Sequence, residues 1–323
     1  MNNDMEYKYD LSVVVCLLDE AESLPELYDW IRRSLDGRFK YELIFVDDGS
    51  TDGSWDIIKS FPKTAPDVHG IRFRRNYGKS AALYNGFLAA QGRVVVTMDA
   101  DLQDSPEEIP AMYSMIVDEG WDIVSGWKQH RQDNKLTKNL PSKLYNATAR
   151  KVTGLKLHDM NCGLKAYRNE VVKSIEVYGD MHRYIPYLAK NVGYGRITEM
   201  PVHHQKRKYG KSKFGIDRFV HGLLDLMCLW FLGKFGKKPM HFFGASGLLS
   251  FLIGGIVTLW VIIKKIVCQT NGYAYRAVTD QPLFYLALTA LIVGIVLFST
   301  GFICEMISRT SPIRNDYNVR ETF

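Results

Sequence analysis

Two clusters of carboxylates follow apolar, strand-like runs in the chain. The first is Asp47-Asp48 within Val-Asp-Asp-Gly-Ser, and the second covers 98–104, which reads Met-Asp-Ala-Asp-Leu-Gln-Asp. Unpaired carboxylates at the edge of a sheet are costly to bury, so such clusters usually hold a cation. Asp and Gln oxygens suit Mg²⁺ or Mn²⁺, and an ion bound this way keeps positions for water and substrate phosphates. The clusters therefore predict a metal-bridged phosphate site.

The spacing of the second cluster fits a single ion. Asp99 and Asp101 lie on the same face of an extended strand, and at the strand's end the chain can turn so that both reach one metal. Each cluster alone is as typical of a turn or a helix cap. Asp104, which precedes Ser105-Pro106, fits a cap as well as it fits catalysis. Found together, the clusters favour a site.

Strand-like and helical patterns alternate in the first half of the chain. Strands are predicted over 11–18, 41–46, 71–74, 94–98 and 122–125, and helices over 25–35, 80–90 and 106–119, with a short one opened by Ser50, Thr51 or Asp52. This alternation is typical of an α/β domain with a mostly parallel, Rossmann-like sheet covered by helices on both faces. Ligands of such sheets bind at the carboxyl ends of the strands, where both clusters fall.

Several other chemistries are disfavoured by the motifs. No Gly-x-Gly-x-x-Gly follows the first strand and no Walker lysine motif occurs, which argues against a dehydrogenase or a P-loop enzyme. The five cysteines lack Cys-x-x-Cys spacing, which argues against a zinc site or a disulfide framework. His203 and His204 are adjacent and would face opposite sides of a strand, so a structural or acceptor-side role is favoured over metal binding.

Two long apolar stretches predict membrane-spanning helices. No charged residue occurs in 242–263 or in 282–304, and each stretch is long enough to cross a hydrocarbon core of about 30 Å. A buried hairpin of a soluble protein is the alternative, and the flanking Lys and Arg residues disfavour it. The polar first ten residues do not resemble a signal peptide, so the catalytic part is not expected to be secreted.

Basic residues favour one orientation and one class of partner. Lysines precede the first stretch and arginines follow the second, which predicts two cytoplasmic ends, although Lys264, Lys265 and Arg276 lie in the connection. In a bacterium the membrane would be the inner one. Much of the +6 net charge lies within 206–218, near the first stretch. Anionic lipid head groups or a lipid phosphate are better partners there than nucleic acid.

The segment 216–231 has apolar residues at helical spacing, interrupted by charged ones. It predicts an amphipathic helix in the membrane interface, with packing against the domain core as the alternative. The predicted organisation is a cytoplasmic catalytic domain over 1–215, the interface helix and a linker over 216–239, a two-helix membrane domain over 240–308, and a tail over 309–323.

Several ordered motifs resemble those of one enzyme family. The runs 19–22 (Asp-Glu-Ala-Glu), 75–80 (Arg-Asn-Tyr-Gly-Lys-Ser) and 161–165 (Asn-Cys-Gly-Leu-Lys), with the two aspartate clusters, are similar to the inverting family-2 glycosyltransferases, which have a GT-A fold. The runs 181–186 and 207–213, followed by two spans, resemble the polyprenyl-phosphate glycosyltransferases, which include dolichol-phosphate mannose synthases and undecaprenyl-phosphate glucosyltransferases.

The resemblance implies roles for individual residues. Asp101 and Asp159 are the implied catalytic residues, and Asp159 fits a loop or helix-cap carboxylate as the alternative. The nucleotide sugar is expected at Glu20, Asp47, Asp48 and Asp99, and Mg²⁺ or Mn²⁺ at Asp99, Asp101 and Gln103. Lys79 flanks a glycine that can bring the backbone close to the nucleotide, or else lies in a surface turn.

The expected acceptor is a polyprenyl phosphate, which is already an anion and needs mainly to be positioned. Residues that can hold its phosphate are Lys128, Lys138, Ser142, Arg183, Arg207 and Lys211. In-line attack on the anomeric carbon would convert an α-linked donor into a β-linked lipid phosphosugar. UDP-glucose and undecaprenyl phosphate are the first expectation, with GDP-mannose or another hexose donor as alternatives.

Two further expectations concern class and assembly. A processive polysaccharide synthase would need more spans and a Gln-x-x-Arg-Trp motif, which the chain lacks. A membrane region of only two helices is compatible with a homo-oligomer such as a tetramer.

Overall fold

The chain folds into two compact units, and the boundary between them in the sequence lies at 226/227. The computed structural model describes residues 7–61, 67–129, 148–150, 152–209, 224, 227–228, 230–231, 233–236, 238–274 and 276–310. The described sheet belongs to the first unit, and the two long apolar helices belong to the second.

One mixed sheet of seven strands forms the centre of the first unit. The strands are β1 (Tyr9–Leu17), β2 (Tyr41–Asp47), β3 (Asp67–Arg72), β4 (Gly92–Asp99), β5 (Ile123–Trp127), β6 (Lys165–Arg168) and β7 (Ile197–Pro201). Their spatial order is β3-β2-β1-β4-β6-β5-β7, and β6 alone among them runs antiparallel to its neighbours. The predicted α/β architecture with a mostly parallel sheet is confirmed.

Helices cover both faces of this sheet. They are α1 (Leu24–Leu35), α2 (Ser54–Ser60), α3 (Lys79–Ala89), α4 (Ile109–Val117), α5 (Asn169–Lys173) and α6 (Ile185–Asn191). Val13 and Val15 of β1 lie in the hydrophobic cluster that contains the buried residues of α1 and α4. Val14 points the other way, because side chains alternate along a strand, and it lies against Gly86 of α3.

Most predicted bounds agree with the structure to within about two residues, although α2 begins at Ser54, after Gly53, rather than at 50–52. Two other elements differ more clearly. The third strand begins at Asp67 rather than at 71, because this edge strand is half exposed and its polar residues hide the apolar pattern. The helix predicted over 106–119 is a 3₁₀ turn, Pro106–Glu108, followed by α4, which ends at Val117. Pro110 lies in the first turn of α4, where its missing N–H costs nothing.

The second unit contains α7 (Pro239–Thr270) and α8 (Pro282–Thr310), which are long and apolar enough to cross a membrane. They pack through small residues: a Cβ added to Gly247 would lie 2.7 Å from the carbonyl oxygen of Gly294. Ser250 Oγ also donates a hydrogen bond to the Ala290 carbonyl across the pair, at 2.8 Å. Small residues of this kind let two apolar helices approach closely.

The predicted interface helix lies mostly outside the described residues. The residues that the structure describes between 224 and 235 are all helical. The Phe231 and Phe235 rings contact the Phe242 ring at the start of α7. The location of this segment in the membrane interface and the four-part division of the chain stay predictions.

Candidate active site

The site lies at the carboxyl edge of the sheet, where three neighbouring strands end. Leu17 of β1 is paired with Asp47 of β2, and Cys16 of β1 is paired with Asp99 of β4. Parallel pairing thus brings the two aspartate clusters, far apart in the sequence, to one edge. This is the position that the sequence predicted for them.

Asp47 and Asp48 organise the loops around the first part of this edge. Asp47 is fully buried, and its Oδ1 accepts a hydrogen bond from the Ser50 N–H at 2.7 Å. Asp48 accepts hydrogen bonds from the N–H groups of Tyr77 and Gly78, at 2.7 and 2.9 Å. Burial raises the pKa of Asp48 in spite of these donors. Asp48 therefore fixes the loop that leads into α3.

Gly49 lies between this carboxylate pair and the same loop. Its φ is +84°, and a Cβ there would lie 2.6 Å from the carbonyl carbon of Arg75. Only glycine allows both the left-handed backbone and the close approach of the two loops. The Asp-Asp-Gly run is consequently a turn as well as part of the site edge.

Asp99 ends β4 and forms an ion pair with Lys79, the first residue of α3. Burial would lower the pKa of Lys79, but the Asp99 carboxylate outweighs burial and raises it. Each side chain remains about one-third exposed, so the pair borders the open side of the site. Lys79 and Asp99, both predicted to contact the donor, thus lie together.

Asp101 and Gln103 follow in a sharp turn. Leu102 has a φ of +59°, which is rare for a residue other than glycine, and the Gln103 N–H donates to Asp101 Oδ1 at 3.2 Å. Burial, followed by repulsion from Asp99, raises the pKa of Asp101. Among the described residues Asp101 has no ion-pair partner. The turn therefore presents a carboxylate that favours the arrival of a cation.

The donor set here fits a divalent cation. Asp99, Asp101 and Gln103 offer two carboxylates and an amide, which are hard oxygen ligands. Too few ligands are supplied to complete a coordination sphere, and no group of three His, Cys, Asp or Glu residues suited to a metal occurs within the described ranges. Such a set is typical of Mg²⁺ or Mn²⁺ bound jointly by protein and phosphate oxygens.

Asp104 is a buried ion-pair partner. Its Oδ1 lies 2.8 Å from Lys128 Nζ and 3.8 Å from His204 Nδ1. Burial opposes its ionisation, but His204 and Lys128 outweigh burial and lower the pKa of Asp104 to about 2. The predicted helix cap is provided instead by Ser105, whose Oγ accepts from the Glu107 N–H. Lys128, a predicted acceptor residue, has its side chain 13% exposed.

The segment 202–209, which we call the crossing segment, runs from β7 past the turn at Asp101–Gln103 to α1. Along it, His203 contacts Glu108, the Gln205 N–H donates to the Gln103 carbonyl, and Lys208 contacts Glu26. Arg207 forms an ion pair with Glu20. The structure therefore joins a residue predicted for the acceptor, Arg207, to one predicted for the nucleotide.

Electrostatics link this ion pair to the turn at Asp101–Gln103. Burial raises the pKa of Glu20, against the influence of Arg207, and the negative charge of Asp101 adds to the increase. Arg207 in turn favours the ionised form of Asp101. The charges of Glu20, Arg207 and Asp101 thus interact with one another at the site.

Arg183 is a buried arginine in the 3₁₀ turn Met181–Tyr184. It is 7% exposed, and no ion pair between described residues includes it. The turn is bound to the start of α3, because the His182 N–H donates to Ser80 Oγ at 3.1 Å. A buried guanidinium without an anion is costly, so Arg183 is suited to an anionic ligand.

Asp159 is buried in the loop before β6, and its Oδ1 accepts from the Asn161 N–H at 3.0 Å. Three of the predicted acceptor residues, Lys138, Ser142 and Lys211, lie outside the described residues. Sequence reasoning missed the ion pairs of Glu20 with Arg207 and of Asp104 with Lys128, which join distant positions. It also missed Lys165, a buried lysine whose signal was its place in the run 161–165.

Comparison with known proteins identifies the family. Residues 12–176 match the model described as "Glycosyl transferase family 2". The chain belongs to this family. It is 33% identical to a dodecaprenyl-phosphate galacturonate synthase of Rhizobium johnstonii, over 99% of this chain and 95% of that protein. It is also 34% identical to an undecaprenyl-phosphate 4-deoxy-4-formamido-L-arabinose transferase of Shewanella sediminis, over 93% of this chain and 87% of that protein.

Solved structures of another glycosyl-transferring enzyme have a similar fold. Glucosyl-3-phosphoglycerate synthase from Mycobacterium tuberculosis, crystallised with Mg²⁺ and UDP, matches with a TM-score of 0.52 and 19% identity, over 70% of this chain and 79% of that chain. The complex with Mn²⁺, UDP and glucosyl-3-phosphoglycerate matches with a TM-score of 0.51 and 21% identity, over 70% and 80%. The predicted GT-A fold and glycosyltransferase class are thus confirmed.

Proposed function

We propose that this family-2 glycosyltransferase moves a sugar from a nucleotide sugar to a polyprenyl phosphate, with Mg²⁺ or Mn²⁺ bound at Asp99, Asp101 and Gln103. The observation that carries the proposal is the turn at the end of β4, which places Asp99, Asp101 and Gln103 at the carboxyl edge of the sheet, with no ion-pair partner for Asp101 among the described residues. Two relatives that match nearly the whole chain are named for transfer to dodecaprenyl and undecaprenyl phosphate.

The donor half of the reaction depends on charge. When bound, the divalent ion neutralises the charge that develops on the leaving nucleoside diphosphate. In this role Asp99, Asp101 and Gln103 would hold the ion, and Asp99 would also face the donor, with Lys79 beside it. Glu20 and Asp48 line the nucleoside side, where Asp48 keeps the Tyr77–Gly78 backbone in place.

The acceptor half depends on positioning, because a phosphate monoester is already nucleophilic. Arg183 and Arg207 are the described cations suited to this task, together with Lys128, Lys138, Ser142 and Lys211 from the sequence prediction. Lys128 holds Asp104, so it must exchange or share that partner to touch a phosphate. Arg207 must likewise leave or share Glu20. Asp159 lies in the loop before β6, where it serves as the second catalytic carboxylate.

The membrane helices suit a lipid acceptor. With α7 and α8 as spans and both ends in the cytoplasm, the reaction takes place on the cytoplasmic face of the membrane, which in a bacterium is the inner membrane. The two relatives are named for galacturonate and for 4-deoxy-4-formamido-L-arabinose, so UDP-galacturonate replaces UDP-glucose as the first donor to test.

The test is transfer by the purified full chain in mixed micelles. Undecaprenyl phosphate, Mn²⁺ and one radiolabelled donor at a time are supplied: UDP-galacturonate, UDP-4-deoxy-4-formamido-L-arabinose, UDP-glucose or GDP-mannose. We expect label in the lipid extract for one donor, and its loss when EDTA exceeds the metal. Absence of lipid-linked label with every donor would overturn the acceptor class, and full activity in EDTA would overturn the metal.

A further inference from the structure

Lys165 is a buried cation that the proposed reaction does not use. It is the first residue of β6 and is 3% exposed. Its ammonium donates hydrogen bonds to the backbone carbonyls of Met160, at 3.3 Å, and Cys162. A buried ammonium is costly even when it has partners, so its presence here calls for a function.

The carbonyls bound by Lys165 belong to a loop that is fixed on several sides. Thr97 Oγ1 of β4 donates to the Gly163 carbonyl at 2.9 Å, and the Gly126 N–H of β5 donates to the Leu164 carbonyl, also at 2.9 Å. Lys165 adds charged hydrogen bonds to the Met160 and Cys162 carbonyls of the same loop. The loop 160–164 is thereby held against the strands that end at the site.

Gly163 brings this loop into direct contact with Asp99. A Cβ added to Gly163 would lie 2.6 Å from Asp99 Oδ2 and 2.8 Å from its carboxyl carbon. Lys79 binds the other carboxylate oxygen, Oδ1. The Asp99 carboxylate is therefore confined between an ammonium and a backbone that only glycine can place so close.

Charge explains why a lysine suits this position. Burial and the nearby positive charge of Lys79 lower the pKa of Lys165, while Asp99 and Asp159 favour its charged form. The ammonium thus binds the loop backbone and lies in the field of two site carboxylates. An apolar residue of the same length could fill the space but could do neither.

We propose that Lys165 is a positioning residue for the donor and metal site, which acts through the Gly163 backbone to fix the Asp99 carboxylate. The inference rests on the proposed function, since that function gives Asp99 its role. Removing a group that orients a metal-binding residue typically weakens metal affinity by about 10- to 100-fold.

The chain offers a control for each variant: Lys173 matches Lys165 in its hydrogen bonds, although Lys173 is exposed and Lys165 is buried. Lys173 also donates to two backbone carbonyls, those of Phe87 and Leu88, at 2.6 and 2.7 Å, where α3 ends. Burial likewise lowers its pKa. Gly195 has an unstrained backbone, and a Cβ there would meet nothing within 4 Å. Lys173→Met is therefore compared with Lys165→Met, and Gly195→Ala with Gly163→Ala.

The experiment measures Mn²⁺ affinity by electron paramagnetic resonance, with and without UDP, on the full chain in detergent. Melting temperature and the kcat and KM for the nucleotide sugar are measured on the same samples. We expect Lys165→Met and Gly163→Ala each to weaken Mn²⁺ binding by about 10- to 100-fold and to raise the donor KM. Both controls should stay within about twofold of the parent protein.

Two further variants test whether Lys165 acts on Asp99 through the Gly163 backbone. The double variant Lys165→Met/Gly163→Ala should bind Mn²⁺ about as weakly as the weaker single variant, because both changes act on Asp99. Lys165→Arg keeps the charge and should recover part of the affinity lost in Lys165→Met. Gly163→Ala leaves the lysine in place, so it tests the contact with Asp99 even if Lys165→Met does not fold.

The outcomes separate this proposal from the proposed function. A lowered melting temperature in Lys165→Met with unchanged Mn²⁺ affinity, as expected of Lys173→Met, would overturn the positioning role. So would a Gly163→Ala protein with normal affinity, or a parent chain that binds no Mn²⁺ even with UDP. Failure to label polyprenyl phosphate would overturn the acceptor class, while the Mn²⁺ measurements would still judge Lys165.

Discussion

The two ends of the central sheet use buried charge in opposite ways. At the amino end, Glu42 is fully buried and its Oε1 accepts from Ser12 Oγ at 2.6 Å and the Gln91 N–H at 2.7 Å. Ser12 Oγ accepts in turn from the Gly92 N–H. At the carboxyl end, the negative charges of Asp99 and Asp104 add to the effect of burial and raise the pKa of Asp101. Asp99 and Asp104 are each paired with a lysine from another segment, Lys79 and Lys128.

The difference shows how a fold distinguishes structural from functional carboxylates. Glu42 Oε1 has two neutral donors, and its Oε2 lies 3.5 Å from His69 Nε2 without a hydrogen-bond partner among the described residues. No other described carboxylate is paired with it, and its hydrogen bonds tie β2 to the starts of β1 and β4. Asp101 faces like charges, and its raised pKa means that the folded protein favours neutralisation of the group. A perturbed carboxylate in a group of like charges is typical of a ligand site.

The largest expected effect is on catalysis at the carboxyl end. Asp101→Ala should lower kcat/KM by about 1000-fold, which corresponds to about 4 kcal/mol, because the leaving diphosphate loses its metal. Sugar transfer to the lipid is the measurement. Asp56→Ala, which removes an exposed carboxylate paired with Lys59, serves as the control. A comparable loss in that control would show that the assay responds to any lost carboxylate.

Next in size is a stability effect close to the site. Asp104→Ala leaves Lys128 and His204 buried without their anion, and should lower the free energy of unfolding by about 3 to 5 kcal/mol. The free energy of unfolding is measured by chemical denaturation of the full chain, followed by a spectroscopic signal from the first unit. The isosteric Asp104→Asn keeps an acceptor and should lose less. Equal stability of all three proteins would contradict the ion-pair role.

The Asp104 ion pair also predicts a pH dependence. The folded pKa is about 2 and the ordinary value is 3.8, so the carboxylate stabilises the fold above pH 4. This contribution, about 2 kcal/mol, is lost as the pH falls from about 4 towards 2. The stability difference between the parent protein and Asp104→Asn should therefore narrow over that range. A constant difference would argue against the depressed pKa.

A smaller effect is expected at the amino end. Glu42→Gln keeps one oxygen for Ser12 and Gln91 but loses the charge, and should cost about 1 to 2 kcal/mol of unfolding free energy. The kcat and donor KM should not change, because the residue lies at the opposite end of the sheet. Measuring the free energy of unfolding and kcat on the same variant tests whether the two ends of the sheet differ in function. A large fall in kcat would contradict that difference.

The smallest effect is expected on the surface. Lys208 and Glu26 form an exposed ion pair, and Lys208→Ala should leave the melting temperature unchanged within error. The neighbouring Arg207→Ala, by contrast, should alter transfer kinetics, because Arg207 contacts Glu20 at the site. Equal transfer kinetics in Lys208→Ala and Arg207→Ala would contradict a role of Arg207 at the site.

The sequence was informative where one residue type served one purpose. Continuous β-branched runs predicted β1, β2 and β4, and aspartates directly after them predicted the site edge, since parallel pairing brings strand ends together. The two long uncharged runs likewise predicted both long helices, because each run serves only to form an apolar helix. The edge strand β3 was placed four residues late, because half-exposed strands carry polar residues that weaken the pattern.

Contacts between distant segments were beyond the reach of the sequence. Nothing near Glu20 indicates that Arg207, 187 positions away, will neutralise it. Asp104 matched a helix cap locally, yet Lys128 and His204 determine its role. Lys165 starts a strand of four residues, too short to show a period, so neither its burial nor the reversed direction of β6 could be inferred.

The reversal of β6 bears on which part of the chain can change in length. The chain leaves the sheet after Trp127 at the end of β5 and re-enters it at Lys165, and the antiparallel pairing of these strands puts exit and entry at the same edge. A change in the length of the connection ahead of the loop 160–164 can therefore leave the register of the seven strands unchanged. Such length variation is compatible with an intact sheet, because the cost of closing a loop grows only slowly with its length.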